Sequence, residues 1–386
     1  MLNFEFHNPT RIVFGSNTIP RLEELVSPKA RVLVLYGGSS AKGNGTLAEV
    51  KAALGNRVVQ EFGGIEPNPS YETLMRAVEQ VRKEKLDFLL AVGGGSVIDG
   101  TKFVAAAIDH DGDPWDILLT HGRTVTNAVP FGSVLTLPAT GSEMNCGSVI
   151  TRQSTQSKLA FMHPSVFPQF SILDPTKTFT LPKNQIANGI ADTFVHITEQ
   201  YLTYPAQAMA QDRFAEGLLQ TLIEIAPKAL DMSEDYDTRA NFMWVATLAL
   251  NGLIGAGVPQ DWATHMIGHE ITALYGIDHA RTLAIVLPSL LHVQRQTKQA
   301  KLLQYAQRVW NINEGSNDQR IDEAIRRTRE FFESLGIKTH LSDYQISPEG
   351  IDAIIRQLEA HGMTALGEHR QIGLKVSRAI LTGAFA

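Results

Sequence analysis

Candidate metal ligands lie in two pairs on predicted helices in the second half of the chain. The first pair is Asp192 and His196, the second is His265 and His269, and His279 follows shortly afterwards. Residues four apart on a helix project from the same face, so each pair can direct two side chains at one point. One carboxylate with imidazoles suits a divalent ion such as zinc or ferrous iron. A single histidine is more often packed or solvated, so the spacing favours a metal site without deciding it.

Two glycine turns follow apolar, strand-like runs in the first half of the chain. Gly93–Ser96 reads Gly-Gly-Gly-Ser before a helical pattern, and Gly37–Ser40 reads Gly-Gly-Ser-Ser. Main-chain N–H groups at a helix N-terminus bind phosphate well when no Cβ atom obstructs them. Neither run is a Gly-x-Gly-x-x-Gly fingerprint, and a tight turn without a ligand also explains such glycines. Two turns at the carboxyl ends of parallel strands favour a dinucleotide site.

The segment 36–42 bears on which dinucleotide would bind. A site that prefers NAD usually places an acidic residue on the ribose 2′-hydroxyl, whereas a 2′-phosphate favours hydroxyls and cations. This segment contains Ser39, Ser40 and Lys42 and no acidic residue. The sequence therefore favours NADP, with an ordinary polar loop as the alternative.

The elements that must position these residues change character along the chain. Up to about residue 174, short apolar runs alternate with helical patterns, which is typical of a parallel sheet covered on both faces. The predicted strands are Phe4–His7, Arg11–Phe14, Arg31–Tyr36, Arg57–Phe62, Asp87–Val92, Val134–Pro138 and Phe170–Asp174. We therefore predict an α/β dinucleotide-binding domain with a Rossmann-like parallel sheet over residues 1–178.

Long helical patterns dominate the remainder, so we predict an all-α metal-binding domain over residues 179–386. The predicted helices are Asn184–Leu202, Ala206–Leu230, Tyr236–Ile254, Trp262–Tyr275, Arg281–Val309, Ile321–Leu335 and Pro348–His361. Pro288 is expected to break or kink its helix, because proline lacks the N–H group that the helix needs.

Composition excludes several classes of protein. The 386 residues carry a net charge of −6, which argues against nucleic-acid and membrane-surface binding, since both need basic patches. No apolar run approaches the roughly 18 residues of a membrane span. The first residues lack the basic and apolar regions of a signal peptide. The single cysteine, Cys146, fits a reducing compartment, so we expect a cytoplasmic protein.

The motifs together resemble those of the iron-containing (group III) alcohol dehydrogenase family, in its NADPH-dependent aldehyde reductase and butanol dehydrogenase branch. The resemblance covers essentially the whole chain. It is carried by the segments Asn8–Gly15, Phe62–Pro69, Ala91–Asp99, Thr136–Glu143, Asn188–His196, Gly257–His265 and Asp278–His279. It implies an architecture like that of dehydroquinate synthase, with an α/β domain followed by a helical domain.

The resemblance also implies roles for individual residues. It assigns one divalent metal ion, zinc or iron, to Asp192, His196, His265 and His279, and places His269 beside the nicotinamide as the candidate catalytic residue. It implies three groups of NADP(H) contacts. On the adenosine side they are Gly38, Ser39, Ser40 and Asn68, and at the pyrophosphate they are Gly94, Gly95 and Ser96, supported by Asp99. Near the nicotinamide and its ribose they are Thr136, Thr140, Asn145, Gly147 and Lys158. Ser39 stands where NAD-preferring relatives carry an aspartate and close relatives often carry a glycine.

The implied activity is the interconversion of short- to medium-chain aldehydes and primary alcohols by a likewise implied homodimer. In that reaction the metal would polarise the substrate oxygen, and His269 or a water chain would supply the proton. Three other readings stay open: an NAD-linked polyol dehydrogenase, a non-redox lyase like dehydroquinate synthase, and a metal-dependent hydrolase in which the glycine turns are structural. A requirement for a dinucleotide would exclude the hydrolase.

Overall fold

In a computed structural model that describes residues 1–231 and 234–386, apolar runs of the first half form a parallel sheet. Its strands run in the order β1-β8-β5-β4-β2-β3, and every neighbouring pair is parallel. Strands β6 and β7 form a separate antiparallel hairpin. The strands are β1 Arg11–Phe14, β2 Arg31–Tyr36, β3 Val58–Phe62, β4 Phe88–Gly94, β5 Phe131–Leu137, β6 Gly147–Arg152, β7 Ser157–Met162 and β8 Phe170–Leu173.

Both faces of this sheet are buried, which explains why its central strands are continuously apolar. Along β2, Leu33 and Leu35 belong to one hydrophobic cluster, whereas Val32 and Val34 belong to a second cluster. Strand β4 divides its side chains between the same two clusters. Successive side chains of a strand point to opposite faces, so the two clusters are the cores on either side of the sheet.

Helices cover the sheet and make up most of the second half. They are α1 Leu22–Leu25, α2 Ser40–Gly43, α3 Thr46–Leu54, α4 Tyr71–Glu84, α5 Gly95–Ala107, α6 Asp116–Leu119, α7 Lys183–Tyr201, α8 Met209–Leu230, α9 Tyr236–Ala249, α10 Ala263–Tyr275, α11 His279–Val293, α12 Gln299–Arg308, α13 Asn317–Ser334, α14 Gly350–Ala360 and α15 Leu374–Gly383. The predicted fold class, an α/β part with a parallel sheet followed by a helical part, is confirmed. Within the described ranges, no helix is both long and apolar enough to cross a bilayer.

The chain forms two compact units. The α/β unit holds His7–Leu181 and the first three turns of α9, as far as Thr247. The helical unit holds Met1–Phe6 and most of the chain after Pro182. The ranges 1–178 and 179–386 stay a prediction about independently folding domains, because a compact unit is not by itself an autonomous domain.

Two local predictions are wrong, and one element was missed. Phe4–His7 forms no strand, and the hairpin β6–β7 was not predicted. Pro288 lies inside α11 and does not end it, because apolar neighbours bury that helix and outweigh one missing hydrogen bond; a kink at Pro288 stays a prediction. The single helix predicted over Arg281–Val309 is two helices, because the turn before α12 carries Lys298 into a buried position, where its Nζ donates to Leu202 O at 2.8 Å.

Candidate metal and cofactor sites

Three helices of the helical unit bring the predicted metal ligands together. Asp192 and His196 lie one turn apart on α7, His265 is in the first turn of α10, and His279 is the first residue of α11. His196 Nε2 is 3.7 Å from Asp192 Oδ1. His279 Nε2 and His265 Nε2 lie 3.8 and 3.9 Å from the same oxygen. Three imidazole nitrogens from three helices therefore surround one carboxylate oxygen.

The donor set fits a divalent metal ion. Asp192 is 3% exposed, and among the described residues no hydrogen bond reaches its Oδ1. A buried carboxylate oxygen without a hydrogen bond is costly, and a cation removes that cost. Donor atoms bonded at about 2.1 Å to a tetrahedral ion are about 3.4 Å apart, close to the 3.7–3.9 Å that separate the three imidazole nitrogens from Asp192 Oδ1. Asp192, His265 and His279 also offer donor atoms that all lie within 4.8 Å of one another. One oxygen and three imidazole nitrogens suit both zinc and iron.

The Glu199 carboxylate contacts one of the predicted ligands. It lies one turn after His196 on α7 and is 3% exposed. Its Oε2 contacts His265 Nδ1, and its Oε1 accepts a hydrogen bond from Thr264 N at 2.7 Å. Burial, reinforced by the Asp261 carboxylate, raises the pKa of Glu199. A carboxylate on Nδ1 fixes the imidazole so that Nε2 faces the metal.

His269 lies beside the predicted ligands, on α10 one turn after His265. Its ring centroid is 5.0 Å from that of His279 and 6.2 Å from that of His265. It is 4% exposed. Of the predicted pair on α10, His265 therefore lies close to the Asp192 carboxylate, and His269 is a neighbour of His265.

In the α/β unit, the two glycine turns follow adjacent strands. Strands β2 and β4 pair in register, with Tyr36 opposite Val92, so both turns leave the same edge of the sheet side by side. Strand β3 lies on one side of β2 and β4 on the other. The strand order therefore reverses at this point, which is where open α/β sheets bind their ligands.

Close packing requires a glycine at some of these positions but not at others. A Cβ on Gly95 would lie 2.6 Å from Thr140 Cγ2, and a Cβ on Gly94 would lie 3.0 Å from Leu137 Cβ. These two glycines let the start of α5 approach the segment after β5. A Cβ on Gly38, by contrast, would meet no atom of the described residues within 4 Å. Packing within the described residues therefore does not require a glycine at position 38.

A buried lysine connects α5 to the predicted nicotinamide contacts. Lys102 is fully buried, and its Nζ donates to Ser142 Oγ at 2.8 Å, Asn145 Oδ1 at 2.9 Å and Gly147 O at 2.8 Å. Ser142 Oγ in turn donates to Asp99 Oδ1 at 2.5 Å. Burial lowers the pKa of Lys102 to about 8, although Asp99 opposes that shift. Lys102 was not predicted from the sequence, where its only local signal is its position three residues after Asp99.

The other predicted cofactor residues also lie in the α/β unit. Lys158, on β7, donates from Nζ to Asn68 Oδ1 at 2.8 Å, which joins two residues that are 90 positions apart in sequence. Ser39 and Ser40 are exposed at the start of the short helix α2. Ser96 lies in the first turn of α5, and Thr136 is near the carboxyl end of β5.

Comparison with known proteins shows the family of this chain. The profile described as "Iron-containing alcohol dehydrogenase" matches residues 9–175. The profile "Fe-containing alcohol dehydrogenase family, C-terminal" matches residues 186–373. The chain belongs to the iron-containing alcohol dehydrogenase family. As a member of that family it is an oxidoreductase.

Individual relatives extend this comparison over the full length. The chain is 61% identical over 386 residues to "NADPH-dependent aldehyde reductase YqhD" of Escherichia coli, covering 100% of both chains. It is 44% identical to "Probable NADH-dependent butanol dehydrogenase 1" of Bacillus subtilis, covering 94% of this chain and 95% of the relative. The solved structure of NADH-dependent butanol dehydrogenase A from Thermotoga maritima superposes with a TM-score of 0.95 at 35% identity, covering 100% of this chain and 99% of that one.

Proposed function

We propose that this family member interconverts short- to medium-chain aldehydes and primary alcohols, using NADP(H) and one divalent metal ion, zinc or iron. The observation that carries the proposal is the convergence of three imidazole Nε2 atoms on Asp192 Oδ1 at 3.7–3.9 Å. The relative that is 61% identical is named an NADPH-dependent aldehyde reductase, which supports the same reaction.

In this proposal Asp192, His196, His265 and His279 hold the metal. When bound, the metal supplies a Lewis acid for the substrate oxygen. Glu199 keeps His265 in the orientation and tautomer that present Nε2, through its contact with Nδ1. Glu199 is buried, as are Asp192, His196 and His265, which limits access of water and strengthens the electrostatic interactions at the site.

His269 is the proposed proton donor to the substrate oxygen in aldehyde reduction. An imidazole suits this task because its ordinary pKa lies near neutral pH. His269→Ala should keep the metal, lower kcat and change the pH profile, whereas His265→Ala should lose the metal. Metal content by mass spectrometry and kcat against pH distinguish the two variants. Loss of metal from His269→Ala would make His269 a ligand and refute its role as proton donor.

The preference for NADP(H) is proposed from the adenosine side of the site. Ser39, Ser40 and Lys42 offer hydroxyls and a positive charge to a 2′-phosphate, and the segment 36–42 contains no acidic residue. Relatives are named for both coenzymes, so this segment has to be tested in the chain itself. In Ser39→Asp, the KM for NADPH should rise while the KM for NADH does not, because a carboxylate repels the 2′-phosphate. Equal effects on both coenzymes would contradict the assignment.

The nicotinamide half of the coenzyme is assigned to Thr136, Thr140, Asn145, Gly147 and Lys158, and the pyrophosphate to the α5 N-terminus at Gly94–Ser96. The hydrogen bonds from Lys102 to Asn145 and Gly147 hold two of these residues in place. Asp99 supports the same segment through Ser142.

A single assay tests the overall function. The oxidation of NADPH and of NADH by butyraldehyde is followed in metal-replete protein and after treatment with a chelator. Fast oxidation of NADPH that the chelator abolishes is the expected result. Oxidation of the coenzymes with hydroxyketones, the oxidised forms of polyols, but not with butyraldehyde would indicate a polyol dehydrogenase. No oxidation of either coenzyme would refute the proposal and favour the lyase or hydrolase chemistry.

We also propose that the enzyme is a homodimer. The first six residues form no helix or strand, yet Leu2, Phe4 and Phe6 are 47%, 53% and 44% exposed. Exposed apolar side chains of this size are typical of contact surfaces. Light scattering after size-exclusion chromatography should give twice the mass of one chain, and a monomer would contradict the proposal.

A further inference from the structure

A bulky residue stands in a strained backbone conformation beside the metal ligands. Trp262, immediately before α10, has φ 63° and ψ 4°, which is the left-handed region. That region is unfavourable for a large side chain, and such outliers persist only where the surrounding structure imposes them. Where one occurs at a functional site, it suggests that the side chain is needed there.

The contacts of Asp261 impose this conformation. Its N–H donates to Glu199 O at 2.9 Å, and its Oδ1 accepts from Ala263 N at 2.9 Å. Its Oδ2 pairs with Lys298 Nζ at 2.7 Å, with both side chains buried. Asp261 is thus fixed to α7, to α10 and to the start of α12. The next residue has to turn sharply for α10 to begin where His265 reaches the metal site.

The Trp262 indole lies against two of the proposed ligands. Its ring centroid is 5.2 Å from that of His265 and 6.2 Å from that of His196. Its Nε1–H donates to Gln260 Oε1 at 2.7 Å, and Gln260 Nε2 donates to Gly255 O at 3.3 Å. The single polar atom of the indole is therefore engaged, and its ring is partly exposed, whereas both histidines are buried.

We propose that Trp262 determines substrate specificity, by forming the apolar wall against which the carbon chain of the aldehyde packs. This proposal rests on the proposed function. An indole whose N–H is already bonded offers only apolar surface to a ligand, and that surface suits an alkyl or aryl chain better than a charged or hydroxylated one. Because the indole lies against the rings of His265 and His196, this wall is next to the metal ion that would bind the substrate oxygen. Gln260 holds the ring in the orientation that does so.

The kinetic test compares Trp262→Gly and Trp262→Phe with the unchanged enzyme on acetaldehyde, butyraldehyde, octanal, 2-methylpropanal and benzaldehyde. Glycine removes the wall and accepts the left-handed backbone, so kcat/KM for bulky relative to small aldehydes should change by about 10-fold or more. Phenylalanine keeps most of the wall and should change this ratio much less. Trp262→Leu replaces the glycine variant if that variant folds poorly. Trp244→Phe, at an exposed tryptophan of α9, is the matched control.

A second measurement does not depend on activity. Cobalt(II) added to the metal-free enzyme should quench tryptophan fluorescence in the unchanged protein and in Trp244→Phe, and much less in Trp262→Phe. Metal content of one ion per chain in every variant is the expected companion result.

The possible failures are distinguishable. An unchanged enzyme that reduces none of these aldehydes would overturn the proposed function, and with it this inference. An active enzyme whose Trp262 variants lose the same factor for every aldehyde, or lose their metal, would overturn only the role of Trp262 and make it a structural residue. Quenching that persists in Trp262→Phe would also overturn that role, because the indole would not be next to the metal.

Discussion

The side chain of Glu199 shows how much of the metal site depends on residues that do not bind the metal. Its carboxylate accepts from the Thr264 main chain and contacts His265 Nδ1, so α7 and α10 are joined at the ligand itself. Removing such a contact typically costs a metal site about 10- to 100-fold in affinity. The effect arises because the imidazole then changes tautomer or rotates, and Nε2 no longer faces the metal.

Glu199→Gln should therefore weaken zinc binding by about 10- to 100-fold without removing any ligand. Competition with a chromophoric chelator measures the affinity directly. Glu224→Gln, at an exposed glutamate of α8, is the control and should bind zinc like the unchanged protein. Equal affinity in both variants would mean that Glu199 serves only the start of α10.

At this scale, spacing alone predicted the pairs on α7 and α10, because helical periodicity relates residues that are close in sequence. It did not predict the burial of Glu199, which depends on how α10 packs against α7. Lys102 was missed for the same reason. Its three acceptors lie 40 or more positions away in sequence.

At the scale of the elements, the glycines before α2 and at the start of α5 are explained by two different causes, a ligand and close packing. Gly95 is required by packing, since a Cβ there would lie 2.6 Å from Thr140 Cγ2. Gly38 faces open space within the described residues, so any cost of a side chain there must come from a ligand. Sequence alone cannot make this distinction, because both residues appear as glycines after an apolar strand.

Gly38→Ala should leave the melting temperature unchanged and raise the Kd for NADPH. Gly95→Ala should lower the free energy of unfolding by about 1–3 kcal/mol, because the added methyl group overpacks the contact with Thr140. Thermal unfolding and fluorescence titration with NADPH measure the two quantities. If NADPH binds equally well to Gly38→Ala, the adenosine side of the coenzyme does not lie at this turn.

Helices α10 and α14 are joined by a pair whose strength depends on pH. His361 Nδ1 lies 2.7 Å from Glu270 Oε1, and this contact raises the pKa of His361 above its ordinary 6.5. The contribution of the pair to stability is therefore complete below pH 6.5 and is lost as the pH rises through the folded-state pKa.

His361→Gln should accordingly destabilise the protein by about 1–2 kcal/mol near pH 5 and by less near pH 8. Urea unfolding of both proteins at the two pH values measures the difference. His292→Gln, at an exposed histidine of α11, is the control. A destabilisation that is the same at both pH values would show that packing, rather than charge, is what His361 contributes.

The strands were predicted well where burial on both faces makes a run continuously apolar, as in β2 and β4. The hairpin β6–β7 was missed because its strands mix polar and apolar residues. The turn between α11 and α12 was missed because its cause is tertiary: Lys298 pairs with Asp261 and Glu368 at 2.7 Å, both distant in sequence. The periodicity of a sequence depends only on residues that are close along the chain, so it could not predict this hairpin or this turn.

For the whole molecule, the two ligands are assigned to different compact units. The proposed metal ligands all belong to the helical unit, whereas the glycine turns and the residues around Lys102 belong to the α/β unit. A ligand that binds only the folded state stabilises it by about 4 kcal/mol at a concentration of about 1,000 times its Kd. Metal and coenzyme should therefore protect different parts of the chain against local opening.

Hydrogen exchange followed by mass spectrometry tests this division. Added zinc should slow exchange chiefly in peptides from α7, α10 and the start of α11, where three helices contribute ligands to one ion. NADPH should slow exchange chiefly in peptides covering the starts of α2 and α5 and the segment 140–149, because these donate the main-chain groups assigned to the coenzyme. Peptides from α13 serve as the internal control for both. Protection of the α5 peptides by zinc alone would place the metal outside the histidine cluster, and protection of α10 but not α5 by NADPH would remove the glycine turns from the coenzyme site.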